Sequence, residues 1–240
     1  MKTLAIIPVY HDNDSIFEVL SKFREKVVDE ICIIMDAASE KDSGKILSAS
    51  VPIDVHLIRN EERKGIGHAI RQGIQYALDK DFGIVVVLAG NNKDDPREIS
   101  RLLEPIMKED YDYVQGSRFL SGGRRVKNPL LRGIFSRFYP FFWTLLTNVR
   151  CTDVTNGFRA YRLRIFEDPR INIWQRWLDD YELEYYIHYK VLTLGYKTIE
   201  VPVSKIYSHR HKGGYSQISP FRDWWRIVRP LFYLKLGAKH

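Results

Sequence analysis

The chain has 240 residues, of which 45% are hydrophobic and 13% aromatic, so it can bury a complete core and we expect one domain with a C-terminal appendix. Its formal net charge of +7 predicts an anionic partner: nucleic acid, acidic lipid headgroups or phosphorylated small molecules. The sequence has no zinc-finger spacing, aromatic RNA-binding motif or recognition-helix pattern, which disfavours nucleic acid.

The amino-terminal run MKTLAIIPVY predicts a first strand, because it is too short for a signal peptide and lacks a small-residue cleavage site. No apolar stretch approaches the ~18 residues needed to span a bilayer. Cys32 and Cys151 have no metal-ligand spacing around them, which predicts neither a disulfide framework nor a zinc site. We therefore expect a soluble or peripheral protein of the reducing cytoplasm.

The first half of the chain alternates between strand and helix patterns. The predicted order is strand 3–9, helix 15–28, strand 30–35, strand 55–58, helix 68–78 and strand 83–88. Such alternation is typical of a parallel sheet with both faces covered. Ligands of these sheets bind outside the carboxyl ends of the strands, so the loops that begin at Tyr10, Asp36 and Ala89 should share one crevice.

The second half is less regular. It contains a basic loop at 122–127, an aromatic segment at 135–143, an Asp-rich helix start near Asp179 and a strand at 198–203. We find no internal repeat and no low-complexity linker in it.

Six segments follow one another in an order that resembles a known family. They are IPVYHDNDSI at 7–16, IMDAAS at 34–39, RKGIGHAIRQGI at 63–74, GSRF at 116–119, DVTNGFRAYR at 153–162 and EVPVSKIYSHRHKGGYSQ at 200–217. Together they resemble the inverting GT-A glycosyltransferases that include dolichol-phosphate mannosyltransferase and bacterial polyprenyl-phosphate glycosyltransferases. The resemblance implies an α/β, GT-A (Rossmann-like) fold: a mostly parallel sheet flanked by helices, with C-terminal amphipathic helices.

Residues at the ends of the first strands are candidates for binding a nucleotide sugar. The resemblance places the loop of Pro8 and Tyr10 on the nucleotide base, although a simple strand-to-helix turn also explains these residues. Asp36 follows a buried strand, where a carboxylate can accept hydrogen bonds from a base or ribose, or serve as a turn residue. Lys64 and the helix N-terminus beside it offer positive potential to a diphosphate.

The chain departs from the family at its metal-binding motif. Family members usually carry Asp-x-Asp after the central strand, and those carboxylates hold a divalent cation on the donor diphosphate. Here the motif is Ala89-Gly90-Asn91, and Lys93 stands where the family commonly has glutamine. Loss of both carboxylates disfavours Mg²⁺ or Mn²⁺ as a cofactor, while Gly90, Asn91 and Lys93 remain candidates for donor binding.

Three interpretations of this departure are open. Asn91 with Asp94 or Asp95 rebuilds a weaker metal site, Lys93 replaces the metal, or the site is inactive. The simplest alternative for the two aspartates is that they begin the next helix, with an aspartate N-cap followed by Pro96.

Arginines and carboxylates later in the chain are candidates for the chemistry. The resemblance gathers Arg118, Arg132 and Arg159 around phosphate, which arginine binds in a bidentate way. A phosphate acceptor is already an anionic nucleophile, whereas a sugar hydroxyl needs a base, for which the candidates are Asp153, Asp180 and Glu184. We select Asp153, Glu184, Arg118 and Arg132 as the catalytic set.

The segment at 207–217 corresponds to a flexible acceptor loop in the resembling enzymes. Arg210 and Lys212 are expected to contact the acceptor phosphate, while Gln217 stands where the family often has lysine. His209 and His211 lack a third ligand nearby and do not predict a metal site.

The tail at 220–235 mixes tryptophan with basic residues, as interfacial helices do, or else packs on the sheet. We therefore predict a glycosyltransferase domain at 1–218 and an amphipathic, membrane-interfacial segment at 219–240.

The predicted function is transfer of a sugar, with inversion, from a UDP- or GDP-type donor to a polyprenyl phosphate or a glycan. We place the enzyme in the cytoplasm at the inner face of the cell membrane, in peripheral contact with lipid and without nucleic acid. The alternative, which the altered Asp-x-Asp suggests, is a non-catalytic nucleotide-sugar-binding or assembly subunit.

Overall fold

The computed structural model describes residues 1–10, 14–38, 40–126, 130–207 and 222–239, and within these ranges the side chains of all but 40–42, 130–133 and 222–224. The strands are β1 Thr3–Tyr10, β2 Glu30–Asp36, β3 Asp54–Asn60, β4 Ile84–Val87, β5 Tyr113–Ser117, β6 Arg124–Val126, β7 Arg159–Arg162, β8 Thr198–Pro202 and β9 Ser204–Ile206. The α-helices are α1 Ser15–Leu20, α2 Glu40–Leu47, α3 Ile66–Asp79, α4 Ile99–Glu109, α5 Leu130–Thr147, α6 Glu182–Thr193 and α7 Arg222–Lys235.

Seven strands form one sheet in the order β3-β2-β1-β4-β7-β5-β8. Strand β7 runs antiparallel to both of its neighbours, and the other pairings in this sheet are parallel. Strands β6 and β9 pair separately as a short parallel ribbon. The predicted mostly parallel α/β sheet flanked by helices is thus confirmed.

The sheet is buried on both faces, which explains the nearly continuous apolar runs in its strands. In β1, Ala5 and Ile7 pack in a core cluster with α1 and α4, while Leu4 and Ile6 pack on the other face with α3 and α6. Successive side chains of a strand point to opposite faces, so one apolar run supplies both layers of core.

The first three strands end side by side. Tyr10 is in register with Asp36, and Asp36 with Asn60. The loop after β4 reaches the same edge, because the Gly90 amide donates to the Pro8 carbonyl over 3.3 Å. The loops that begin at Tyr10, Asp36 and Ala89 therefore meet at one edge of the sheet, as predicted.

Helix α1 is shorter than the helix predicted over 15–28. It ends at Leu20, and the chain then turns so that Phe23 and Val28 both enter the core cluster beside it. Residues 24–26 between them are exposed, so the chain leaves the core after Phe23 and returns to it at Val28, just before β2.

The last three helices form their own apolar cluster. Tyr139 and Trp143 of α5 pack with Tyr185 of α6 and with Ile227 and Leu231 of α7. The predicted boundary at 218/219 lies outside the described residues. Among the helices that the structure describes, none has both the length and the apolar character required to cross a bilayer.

Candidate active site

A cleft opens at the carboxyl ends of β1 and β2, beside the start of α3. Its walls contain three of the predicted nucleotide-binding residues together with residues of the α3 loop and of the segment before α6: Pro8, Val9, Tyr10, Asp36, Arg63, Gly65, Ile66, Ala69, Asp180 and Tyr181. The sheet edge thus forms the floor of a concave site, the usual position for a ligand in an open α/β sheet.

Asp36 fixes the loop that leads into α3. Its two carboxylate oxygens accept hydrogen bonds from the backbone amides of Lys64 and Gly65, each over 2.8 Å. A carboxylate has about four acceptor positions, so Asp36 keeps capacity for a hydroxyl or N–H group in the cleft. The Lys64 side chain is exposed, and its backbone is what contacts Asp36.

Arg63 is a cleft residue that the sequence analysis did not single out. Its guanidinium lies 5.1 Å from the centroid of the Tyr10 ring, and one of its nitrogens lies 3.8 Å from a carboxylate oxygen of Asp180. An arginine at the rim of a cleft suits a phosphate group. Its position at the start of the RKGIG string was the signal available in the sequence.

The glycines of the α3 loop permit a close approach of backbone to backbone. Gly65 has φ of +100°, and a Cβ atom added there would lie 2.4 Å from the Asp179 carbonyl oxygen. A Cβ atom on Gly67 would lie 2.1 Å from the Leu178 carbonyl oxygen. The His68 amide also donates to the Asp179 carbonyl, so the segment before α6 is packed directly on the start of α3.

Gly90 is held against the end of β1. Its carbonyl accepts a 2.8 Å hydrogen bond from the Ser15 hydroxyl, and a Cβ atom added to it would lie 2.7 Å from a methyl carbon of Val9. The small residue in the altered motif thus lets the loop lie on the sheet edge beside the cleft.

Asp94 is buried and already bonded. One carboxylate oxygen lies 2.7 Å from the Lys205 ammonium, and the other accepts from the Ala89 amide over 3.2 Å. Lys205 also donates to the side-chain oxygen of Asn156 over 2.8 Å. The ion pair therefore joins the loop of the altered motif, β9 and the DVTNGFRAYR segment at 153–162.

This donor set does not fit a divalent cation. Asn91 uses its side-chain oxygen to accept from the Lys93 amide over 3.3 Å, while Asp94 is committed to Lys205. Mg²⁺ and Mn²⁺ favour anionic oxygen ligands, and Ala89 and Asn91 supply none. Within the described ranges, no three His, Cys, Asp or Glu side chains converge as a metal-binding group. The predicted metal pair, Asn91 with Asp94, remains without structural support.

Two other residues of this loop, Asp95 and Lys93, have different roles. Asp95 caps the 3₁₀ turn that precedes α4, since its side chain accepts from the Arg97 amide, and Pro96 follows at the first position. Asp95 is therefore the aspartate N-cap that the simplest alternative for these residues predicts. Lys93 is half-buried, with its ammonium 5.5 Å from the centroid of the Tyr207 ring and its carbonyl bonded to the Ile206 amide.

Arg118 and Asp153 form a buried bidentate ion pair. The two bonds join Nε to Oδ2 at 2.6 Å and Nη2 to Oδ1 at 2.7 Å, and both side chains are inaccessible to solvent. Burial alone would lower the pKa of Arg118, but the adjacent Asp153 carboxylate raises it overall. Arg118 also donates to the Tyr207 hydroxyl over 3.0 Å. Two of the predicted catalytic residues, Arg118 and Asp153, are therefore each other's partners.

Arg159 joins the segment before β7 to the start of α6 by hydrogen bonds. It is buried and donates to the carbonyls of Val154, Asn156 and Glu184. The predicted base Glu184 is half-buried, and a Cβ atom on Gly157 would lie 2.7 Å from its Oε1. The Glu184 carboxylate therefore lies directly against Gly157.

Several predicted residues lie outside the described part of the chain. Arg132 belongs to α5, but its side chain is among those not described. Arg210 and Lys212, predicted to bind the acceptor phosphate, fall outside the described residues, as do His209, His211 and Gln217.

The sequence of the chain matches known proteins over most of its length. The model of the family described as Glycosyl transferase family 2 matches residues 4–169. An undecaprenyl-phosphate mannosyltransferase from Micrococcus luteus is 27% identical over 209 residues, covering 85% of this chain and 83% of the relative. A dolichol-phosphate mannosyltransferase from Pyrococcus furiosus is 27% identical over 177 residues, covering 72% of this chain and 49% of the relative.

Solved structures share the architecture. Glucosyl-3-phosphoglycerate synthase from Mycobacterium tuberculosis, in complex with Mn²⁺, UDP and glucosyl-3-phosphoglycerate, superposes with a TM-score of 0.69. The superposition covers 100% of this chain and 81% of the synthase at 14% sequence identity, so the likeness establishes the fold alone.

Proposed function

Because the chain belongs to glycosyl transferase family 2, we propose that it transfers a sugar from a nucleotide-sugar donor to a lipid-linked phosphate, with inversion at the anomeric carbon. The observation that carries the proposal is the cleft, in which Tyr10, Asp36 and Arg63 line the carboxyl edge of the sheet. An aromatic ring, a carboxylate and an arginine suit a base, a ribose and a phosphate respectively. The names of the relatives from Micrococcus luteus and Pyrococcus furiosus support a polyprenyl phosphate as acceptor.

A phosphate acceptor agrees with the position of Asp153. Inverting transfer is a single displacement, in which the acceptor oxygen bonds to the anomeric carbon as the bond to the leaving nucleoside diphosphate breaks. A hydroxyl acceptor needs a base, but the Asp153 carboxylate is buried and bonded to Arg118. An ionised phosphate brings its own nucleophilic oxygen. Glu184 remains the candidate base if the acceptor is a glycan hydroxyl.

An exposed apolar surface supports membrane contact. We call the exposed apolar side chains of α5, α7 and the turn after α7 the aromatic face. Each is about half exposed or more: Ile134, Phe138, Phe141, Phe142, Leu145, Trp225, Phe232 and Leu236. On α5 these residues recur at intervals of three and four, so they share one side of the helix. The exposed cations Arg137 and Arg150 flank them and suit anionic headgroups.

Membrane contact is tested by sedimentation with vesicles that contain anionic lipid. We expect Phe138→Ser with Phe141→Ser to weaken vesicle binding about tenfold or more, because each phenylalanine loses its burial in the interface. Met107→Ser is the matched control, since Met107 is also exposed but lies on α4. Equal weakening by the control would show that the aromatic face has no special part, and membrane contact through it would be abandoned.

Transfer itself is tested with the purified full chain and a panel of radiolabelled UDP- and GDP-sugars. Polyprenyl phosphate and polyprenol are the paired lipid acceptors, and an oligosaccharide acceptor is supplied in a parallel assay. We expect label to enter the organic phase only with the phosphate, and the product to have the inverted anomeric configuration. Label in a glycan would overturn the lipid-phosphate acceptor, and a donor that binds without transfer would favour the non-catalytic subunit that the altered motif suggests.

A further inference from the structure

The altered motif is joined to an internal cation, Lys205, that comes from the far end of the chain. Lys205 and Asp94 are separated by 111 positions, and both side chains are buried. A buried lysine is costly unless it is paired and hydrogen-bonded, and here Asp94 and Asn156 supply both partners. The pair is therefore a built feature of the site.

The Asp94–Lys205 pair is neutral overall, because its carboxylate and ammonium charges cancel. Ala89 and Asn91 are neutral as well, so the loop after β4 carries the positive charge of Lys93 where the family's motif carries two carboxylates. The Asp94 carboxylate reaches the amide of Ala89, the first position of the altered motif. The loop therefore carries a cation of its own and lacks the anionic ligands that would bind a divalent one.

The same contacts hold the loop that carries Lys93. Asp94 is pinned to Lys205, the Asn91 side chain bonds to the Lys93 amide, and the Lys93 carbonyl bonds to Ile206, which follows Lys205 in β9. Lys93 is half-buried and its ammonium lies beside the Tyr207 ring. These contacts fix the main chain of Lys93, and an ammonium carried on a fixed main chain is a point charge that suits a phosphate.

We infer that this chain binds its donor diphosphate without a divalent cation, with Lys93 as the diphosphate-binding cation and the Asp94–Lys205 pair as the device that positions it. The inference rests on the proposed function for the identity of the ligand, a nucleoside diphosphate. It differs from the solved synthase of the same fold, which holds Mn²⁺ with UDP.

The first test is calorimetric titration of the full chain with UDP and GDP, in EDTA and then with excess Mn²⁺. We expect the Kd of the nucleotide that binds to differ by less than about threefold between the two conditions, which is within ~1 kcal/mol. Tightening of about tenfold or more with Mn²⁺ would overturn the inference and leave the proposed function standing. No binding in either condition would overturn the proposed function as well.

Variants test the roles of Lys93 and Lys205 separately. Lys93→Gln should weaken diphosphate binding by about tenfold or more, while the affinity for the matching monophosphate changes less. Lys108→Gln, which removes an exposed charge on α4, is the matched control and should leave both affinities unchanged. Equal affinity of Lys93→Gln and wild type for the diphosphate would overturn the role of Lys93.

The double variant Asp94→Asn with Lys205→Met removes the pair without leaving a buried charge alone. We expect it to fold, as judged by circular dichroism, and to lose diphosphate affinity more than monophosphate affinity. A purely structural pair would lower both affinities equally or neither, and either result would overturn the positioning role.

Discussion

Among the glycines that the structure describes, Gly67 in the first turn of α3 has the least room for a side chain. A Cβ atom there would lie 2.1 Å from the Leu178 carbonyl oxygen, which belongs to backbone and cannot move aside as a flexible side chain can. We expect Gly67→Ala to lower the free energy of unfolding by more than about 2 kcal/mol, since overpacking forces backbone shifts. Urea denaturation measures this change.

The matched control is Gly44→Ala in α2, where nothing lies within 4 Å of the added Cβ atom. It should stabilise the protein by about 0.5–1 kcal/mol, because alanine is the better helix former. If both variants changed stability alike, the tight packing of α3 against the segment before α6 would be refuted.

Asp153 offers a test between a structural role and catalysis. Its partner Arg118 is buried, so Asp153→Asn leaves a charge in the interior that is incompletely compensated. We expect a loss of about 3–5 kcal/mol in the free energy of unfolding. A variant that kept wild-type stability in urea but lost transfer activity would instead identify Asp153 as a base that acts on substrate.

Cys32 and Cys151 are buried thiols, and burial raises the pKa of each to about 12. Both groups stay protonated at pH 8, and the stability that this protonation contributes is lost only as the pH rises toward the raised pKa. We therefore expect Ellman's reagent to label neither thiol in the native protein and both in guanidinium chloride. Fast labelling of the native protein at pH 8 would contradict this packing.

At the scale of elements, α7 is integrated into the fold by one face and exposed by the other. Leu231 is 1% exposed within the α5–α7 cluster, whereas its neighbour Phe232 is 45% exposed. Leu231→Ala should cost about 2–5 kcal/mol of unfolding free energy. Phe232→Ala should leave the unfolding midpoint nearly unchanged and weaken vesicle binding.

This pair of variants also tests the predicted division of the chain at 218/219. If α7 is an independent appendix, Leu231→Ala will not shift the global unfolding transition. A shift would mean that α7 unfolds together with the sheet.

The elements that could be predicted from sequence are those governed by local pattern. The apolar runs of β1, β2 and β4 predict buried parallel strands, because such strands are apolar on both faces. The antiparallel strand β7 lies within a predicted motif, but its orientation depends on how the second half of the chain returns to the sheet.

The same distinction applies to the candidate site: some of its residues could be predicted from local pattern, and others depend on the tertiary fold. Tyr10 and Asp36 follow predicted strands, so their meeting at one edge could be foreseen. Lys205 could not, because a lysine in a short polar strand usually lies in solvent, and only the tertiary fold brings it to Asp94. The pairing of Arg118 with Asp153 could not be predicted either, because it also depends on the tertiary fold, although both residues were predicted to be catalytic.

At the scale of the whole molecule, α7 connects the aromatic face with the cleft at the edge of the sheet. Arg226 of α7 donates to Asp180 over 2.6 Å, and Asp180 lines the cleft and also lies near Arg63. If the chain rests on a membrane through α5 and α7, the helix α7 that contacts lipid also contacts a residue of the cleft. This arrangement suits an enzyme that joins a water-soluble donor to a lipid-linked acceptor.

The most direct test of the donor cleft is amide hydrogen exchange with and without a saturating nucleotide. We predict slower exchange on binding in the peptides that span 61–67 and 89–95, and unchanged exchange at 44–53, beside the start of β3. Protection absent from 61–67, or confined to peptides away from the cleft, would contradict the assignment of this cleft as the nucleotide site.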